Sequence, residues 1–209
     1  MHVRLLVLAL GLALANVASA QSLPKPAEFY FDEDPRALKP LLAPGQDTPA
    51  ELERILKKAE RDPKAVLELA QLGHLAMTGG RVDTGREMYG RALARINRSH
   101  PLWRQVVWNH AWDQFRAGDT NVALQEWADL SSGTRTNPSW MPTTYALALW
   151  TLGRRDEAVR WYAAAVRTQP DAWRSTQDYA RLLPDWKDAE RATLAEVHDA
   201  WVAKPPAWP

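Results

Sequence analysis

The feature that most constrains this chain is a register that recurs three times. A turn glycine is followed five residues on by a small residue, nine on by an aromatic and twelve on by another apolar residue. The sets are Gly80/Gly85/Tyr89/Ala92, Gly118/Ala123/Trp127/Leu130 and Gly153/Ala158/Tyr162/Ala165, with 38 residues from the first glycine to the second and 35 from the second to the third. A fixed period of this kind is the signature of a solenoid. Each helix pair is too small to bury its apolar face alone, so it stacks on its neighbours. Glycine lets the chain leave a helix through positive φ. The small residue allows two helices to cross closely, and the aromatic fills the space between successive pairs. A chain built this way presents surfaces rather than a catalytic cleft.

The register resembles that of the tetratricopeptide repeat, a helix-turn-helix unit of about 34 residues. The unit at 139–172 carries the resemblance best, with Gly153, Ala158, Tyr162, Ala165 and a terminating Pro170. Ala146 stands where the family often has glycine in the first helix. The unit at 66–99 has that glycine, Gly73, but places Gly85 where alanine is usual. The unit at 104–137 keeps Gly118 and Ala123, with Trp127 and Leu130 as its later apolar residues. The resemblance covers roughly half of the chain. It implies an all-α, right-handed superhelical solenoid of antiparallel helix pairs, about three repeats plus capping helices, in which the first helix of each pair lines a concave groove. The alternative is a non-repetitive helical bundle.

Residues 1–20 read as a signal peptide rather than as structure. Met1-His2-Val3-Arg4 is a short basic start, Leu5 to Leu14 an apolar run, and Ala18-Ser19-Ala20 supplies small residues for cleavage after Ala20. The run is short for a membrane span, so no stable span is expected once the signal is cleaved. The chain has no cysteine, which excludes disulfides, thiol catalysis, a cysteine metal site and a lipoprotein anchor. These features together point to a periplasmic protein. With 26 Lys+Arg against 25 Asp+Glu and no basic block, nothing steers the chain toward nucleic acid.

Residues 21–48 form a Pro-rich extended leader. Within it, Glu28-Phe29-Tyr30-Phe31-Asp32-Glu33-Asp34 places three adjacent aromatics among acids. They either pack on the end of the solenoid or serve as a docking motif for a partner. The helical domain spans 49–203. A first helix over 49–61 has Leu52, Ile55, Leu56 and Ala59 on one face, Thr48 as N-cap and Pro49 at its first position. Helices then follow near 64–78 and 82–97, 101–117 and 120–131, and 139–152 and 155–168. A degenerate fourth pair over 173–203 is expected near 172–183 and 185–203. Residues 204–209 make a Pro-rich tail.

Eleven tryptophans need a place. Trp127 occupies the inter-repeat aromatic position. Trp108, Trp112 and Phe115 lie at i, i+4 and i+7 on one stripe of a first helix. Trp140, Thr143, Leu147 and Trp150 form the matching line in the third unit, and Leu67, Ala70, His74 and Met77 in the first. The resemblance puts these lines on the groove, so the candidate ligand-binding residues are Trp108, Asn109, Trp112, Phe115, Arg116, Trp140, Trp150 and His74, with Arg174 and Arg181 at the edge. The other reading of the same stripe is core packing. Some members of the family hold a partner's C-terminal carboxylate with Lys, Asn and Arg, but the lysines are missing here and no such clamp is expected.

No two of His74, His100, His110 and His198 sit at i, i+3 or i+4, and no phosphate loop or nucleophile elbow occurs. His110 and Asp113, one turn apart, form at most a structural pair. The expectation is a non-enzymatic adaptor without metal or cofactor, binding a protein or peptide partner in the cell envelope. The alternative is a glycan-binding accessory module that stacks peptidoglycan sugars on the same rings.

Overall fold

The computed structural model describes residues 23–132 and 134–207. The expected signal peptide, 1–20, lies outside them, as do 21–22 of the leader and 208–209 of the tail. Among the described residues the chain is all-helical: α1 (Pro49–Arg61), α2 (Val66–Thr78), α3 (Val82–Leu93), α4 (Trp103–Arg116), α5 (Thr120–Ser131), α6 (Met141–Thr151), α7 (Arg155–Thr168), α8 (Pro170–Trp173), α9 (Tyr179–Leu182) and α10 (Asp188–Ala203). None of these helices is long and apolar enough to cross a membrane. The start of α1 is fixed locally: Thr48 Oγ1 accepts the Glu51 N–H and Pro49 opens the first turn.

Three glycines reverse the chain. Gly80, Gly118 and Gly153 hold φ of +80°, +96° and +75°, a region that glycine enters without steric cost. Each closes the same pair of bonds. The glycine N–H returns to the carbonyl three residues back (Met77, Phe115, Trp150), and the next N–H returns five back (Ala76, Gln114, Leu149). These are Schellman ends. They fold α2 onto α3, α4 onto α5 and α6 onto α7 as successive hairpins. The hairpins then pack in chain order, α2 and α3 on α4 and α5 on α6, with α1 closing one end and α10 the other.

The remaining register positions are interior. Tyr89, Trp127 and Tyr162 are fully buried, as are Ala92, Ala123, Leu130 and Ala158. Gly85 has a specific reason to lack a side chain. A Cβ there would stand 2.2 Å from Met77 Cγ and 2.8 Å from the Gly73 carbonyl oxygen, and one at Gly73 would stand 2.6 Å from Tyr89 Cδ2. The first hairpin crosses at two facing glycines, closer than a pair of alanines permits.

Polar groups join the first hairpin to the second. The Asp113 side chain, 1% exposed, accepts from Tyr89 Oη at 2.6 Å and contacts His74 Nδ1 at 2.8 Å. His110 does not pair with Asp113; its Nδ1 faces Glu126 Oε1 of α5 at 2.7 Å, while the Asp113 carboxylate is taken by Tyr89 of α3 and His74 of α2. At the far end, the helix expected near 172–183 is two short helices, α8 and α9. Tyr162 Oη donates to the Trp173 carbonyl at 2.6 Å, and the Gln177 N–H meets Ser175 Oγ rather than the carbonyl four residues back.

Burial pushes the Tyr162 phenol up to about 12, although its contact with Tyr179 pulls the other way. Burial also raises Tyr89, Tyr145 and Tyr179 above the ordinary value. The unfolded chain loses these protons near pH 10 while the folded chain keeps them, so this contribution to stability is intact below about pH 10 and falls as pH rises above it. Melting temperature measured against pH should be insensitive to these groups up to about 10 and decline beyond. Gly85→Ala should cost about 1–3 kcal/mol through overpacking. Gly90→Ala, on the exposed side of α3 where a Cβ meets nothing within 4 Å, should gain up to about 1 kcal/mol. Thermal unfolding of the two variants checks both signs.

Candidate functional site

The leader is not a free linker. It runs over the hairpins from α7 to α2. Tyr30 is 3% exposed, with its ring 6.0 Å from that of Trp161. The Asp32 N–H donates to the Asn137 carbonyl and the Ser139 N–H donates back to the Asp32 carbonyl at 2.7 Å, a single β-bridge next to the start of α6. Asp34 is then gripped by two side chains. Arg104 forks onto its carboxylate, Nε to Oδ1 at 2.9 Å and Nη2 to Oδ2 at 2.5 Å, and the Trp140 indole donates to Oδ2 at 3.0 Å. A paired fork of this geometry is among the stronger polar contacts in proteins.

Beyond Ala37, which is fully buried, three side-chain amides read three consecutive main-chain carbonyls. Asn109 Nδ2 donates to Lys39 O at 3.0 Å, Gln105 Nε2 to Pro40 O at 2.8 Å and Gln71 Nε2 to Leu41 O at 2.8 Å. The donors lie on α4 and α2, the first helices of two hairpins. The recognition is of backbone, so it suits an extended polypeptide irrespective of its side chains.

This arrangement changes the aromatic line. Trp108, Trp112 and Trp140 are 8%, 7% and 6% exposed, and no open aromatic groove exists at them. Trp108 stacks 4.9 Å from Trp140 and 6.3 Å from Trp127. Trp112 packs 5.1 Å from both Trp127 and Trp186 and 5.8 Å from Phe115. The physical reason is coverage. The leader's Tyr30 and Ala37 and the C-terminal segment's Trp186 belong to the same apolar cluster as these rings. Helical spacing placed the rings on one line correctly enough to cluster Trp108, Trp112, Phe115 and Trp140, but not what lies over them.

The other candidates separate. Arg116 forks onto Glu190, Nε to Oε1 at 2.8 Å and Nη2 to Oε2 at 3.1 Å, and lies 5.0 Å over the Trp112 ring. It closes the C-terminal side of the cluster. Glu190 in turn accepts the Lys187 N–H at 2.7 Å and so starts α10. Trp150 lies under Arg155, 3.7 Å from its guanidinium carbon, and donates to Glu196 at 2.8 Å. His74 faces Asp113, away from the aromatic cluster. Among the described residues no group of three His, Asp or Glu side chains is placed to hold a metal ion.

Sequence reasoning named Asn109 and singled out the Glu28–Asp34 segment as one that packs on the helices or docks a partner, and Tyr30 is buried against Trp161; it missed Gln71, Arg104 and Gln105. One signal was present: Gln71 and Asn109 each stand nine residues before a turn glycine, so the register repeats a carboxamide at one position. Nothing local marked Asp34, whose partners lie 70 and 106 residues away.

Trp112→Ala should cost about 3–5 kcal/mol, as core truncations of large aromatics do, rather than leave the fold intact. Asp34→Ala strands Arg104, whose side chain is 21% exposed, and the Trp140 indole. It should cost about 3 kcal/mol, read as a shift in the denaturation midpoint. No family model, no curated protein and no solved structure matches the chain, so its function rests on the geometry just described.

Proposed function

We propose that the chain is an exported, tetratricopeptide-like adaptor that works in the periplasm, after cleavage behind Ala20, and holds an extended protein or peptide segment along the first helices of its hairpins without catalysing a reaction. The three hairpins with matching Schellman ends and one shared register support reading the domain as a right-handed solenoid of such repeats. The observation that carries the binding role is the row Asn109, Gln105 and Gln71, set to read consecutive carbonyls of a chain lying across α4 and α2.

The leader does not saturate that row. Gln71 is 5% exposed, and its Oε1 has no hydrogen-bond partner among the described residues. A carboxamide that pairs both of its ends with a peptide backbone would recover the desolvation cost of about 1–3 kcal/mol that the unmade bond leaves standing. An external segment able to donate an N–H to Gln71 therefore has an advantage over the leader at this position. The ring faces that a sugar would stack on, those of Trp108, Trp112 and Trp140, are buried, which favours a polypeptide over a glycan.

A labelled peptide spanning residues 27–42 tests the reading. Added to a chain carrying Tyr30→Ala and Asp34→Ala, which loosens its own leader, the peptide should bind about tenfold or more tighter than to the unaltered chain, by fluorescence polarisation. Gln71→Ala and Gln105→Ala on the loosened background should reverse the gain. Absence of binding to a loosened chain that keeps its helical circular dichroism would refute the reading.

A further inference from the structure

The leader points its three adjacent aromatics in opposite senses. Tyr30 is buried, whereas Phe29 and Phe31 are 70% and 56% exposed, the two most exposed large apolar side chains described. Their rings stand 6.4 Å apart and form one outward apolar surface. Both flank Tyr30 and are exposed where it is buried. That does not explain why a chain would keep two phenylalanines in water.

The backbone holds them there at a cost. Phe29 has φ of +66°, a left-handed conformation that is an outlier for a bulky residue and persists only where the surroundings enforce it. They do so here. Tyr30 Oη accepts the Ala27 N–H at 2.7 Å, Asn137 Nδ2 donates to the Glu28 carbonyl at 3.1 Å, and Asp32 is bridged to Asn137 and Ser139. Two residues before the pair and one after it are tied down, so the rings are presented in a fixed relation. A presented, pre-ordered aromatic pair loses little further freedom on binding.

The segment's own charges have one sign, and two of its four acids meet an arginine of the helices. Between Glu28 and Asp34 there is no Lys or Arg. Asp34 is neutralised by Arg104, and Glu28 reaches Arg167 only at 4.0 Å. Asp32 and Glu33 have no ion-pair partner among the described residues. The Thr136 hydroxyl and the Asp34 N–H hold the Asp32 carboxyl below the usual carboxylate range. Two copies meeting through this surface about a two-fold axis would bring their own acids together, and an anionic lipid surface meets the same repulsion. Apolar rings framed by acids fit instead a hydrophobic pocket with a cationic rim.

We propose that Phe29 and Phe31 form a docking motif for a different protein, one that offers an apolar pocket edged by Lys or Arg side chains. The motif lies on the outward side of the leader, away from the amide row on α2 and α4, and it is presented in this form while the leader is docked.

A random dodecapeptide display library panned on the whole chain tests this. Enriched peptides should combine large apolar residues with Lys or Arg. Their binding should weaken about tenfold or more in Phe31→Ser and again in about 0.5 M salt. Phe29→Gly separates docking from folding: it relieves the positive φ, so the melting temperature should hold or rise while peptide binding falls about tenfold or more. Enrichment of peptides without basic residues, or peptides that bind both variants as well as the unaltered chain, would overturn the proposal. So would a concentration-dependent dimer, or binding to phosphatidylglycerol vesicles, that Phe31→Ser abolishes.

Discussion

The carboxylate of Asp34 joins more of this molecule than any other group. It belongs to the leader, is forked by Arg104 of α4, and accepts from the indole of Trp140 at the entrance to α6. Arg104 also donates to the Leu130 carbonyl near the end of α5. Four segments thus meet around this carboxylate and the arginine that forks it. Burying that charge, 7% exposed, is tolerable only because each of its oxygens is paired. Once it is in place, the leader has a single register. Tyr30 falls against Trp161, Ala37 enters the aromatic cluster, and the carbonyls of residues 39–41 come opposite their amide donors.

The aromatic cluster is the complement of that register. Rings on the first helices of two hairpins, Trp108, Trp112 and Trp140, form one cluster with Trp127. The leader covers it on one side and Trp186 on the other, with Arg116 and Glu190 sealing the rim. The many tryptophans are thereby accounted for without a ligand. Edge-to-face contacts such as Trp112 with Trp127 and with Trp186 give a specific geometry, not an adaptable lining.

The hairpins were legible in the sequence because their signals are local. Gly80, Gly118 and Gly153 act within five residues of themselves, and Thr48 and Pro49 within three. Gly85 was legible as a departure from the alanine expected there, and its cause, the facing Gly73, lay twelve residues upstream in the same hairpin. The site was not legible for the opposite reason. A line of tryptophans at helical spacing states which helix face they share and nothing about a segment that returns from 70 or more residues away. The leader's prolines resemble those of a linker, and what makes it part of the body is Tyr30, the Asp32 bridge, Asp34, Ala37 and the donors on α2 and α4. The break between α8 and α9 was hidden likewise, since Trp173 and Tyr179 on its two sides meet the hydroxyl of Tyr162 on α7.

The distance in sequence between the leader and its partners also sets an order in time. Its hydrogen-bonded contacts close loops of 30 to 109 residues, and such closures come late because their entropy must be met before any contact forms. The leader is the first of these segments to be synthesised and the last able to dock, after α2, α4 and the α5–α6 connection already stand in place. Until then the aromatic cluster lacks one wall. Detachment of the leader would break none of the turns or helix pairings within the hairpins.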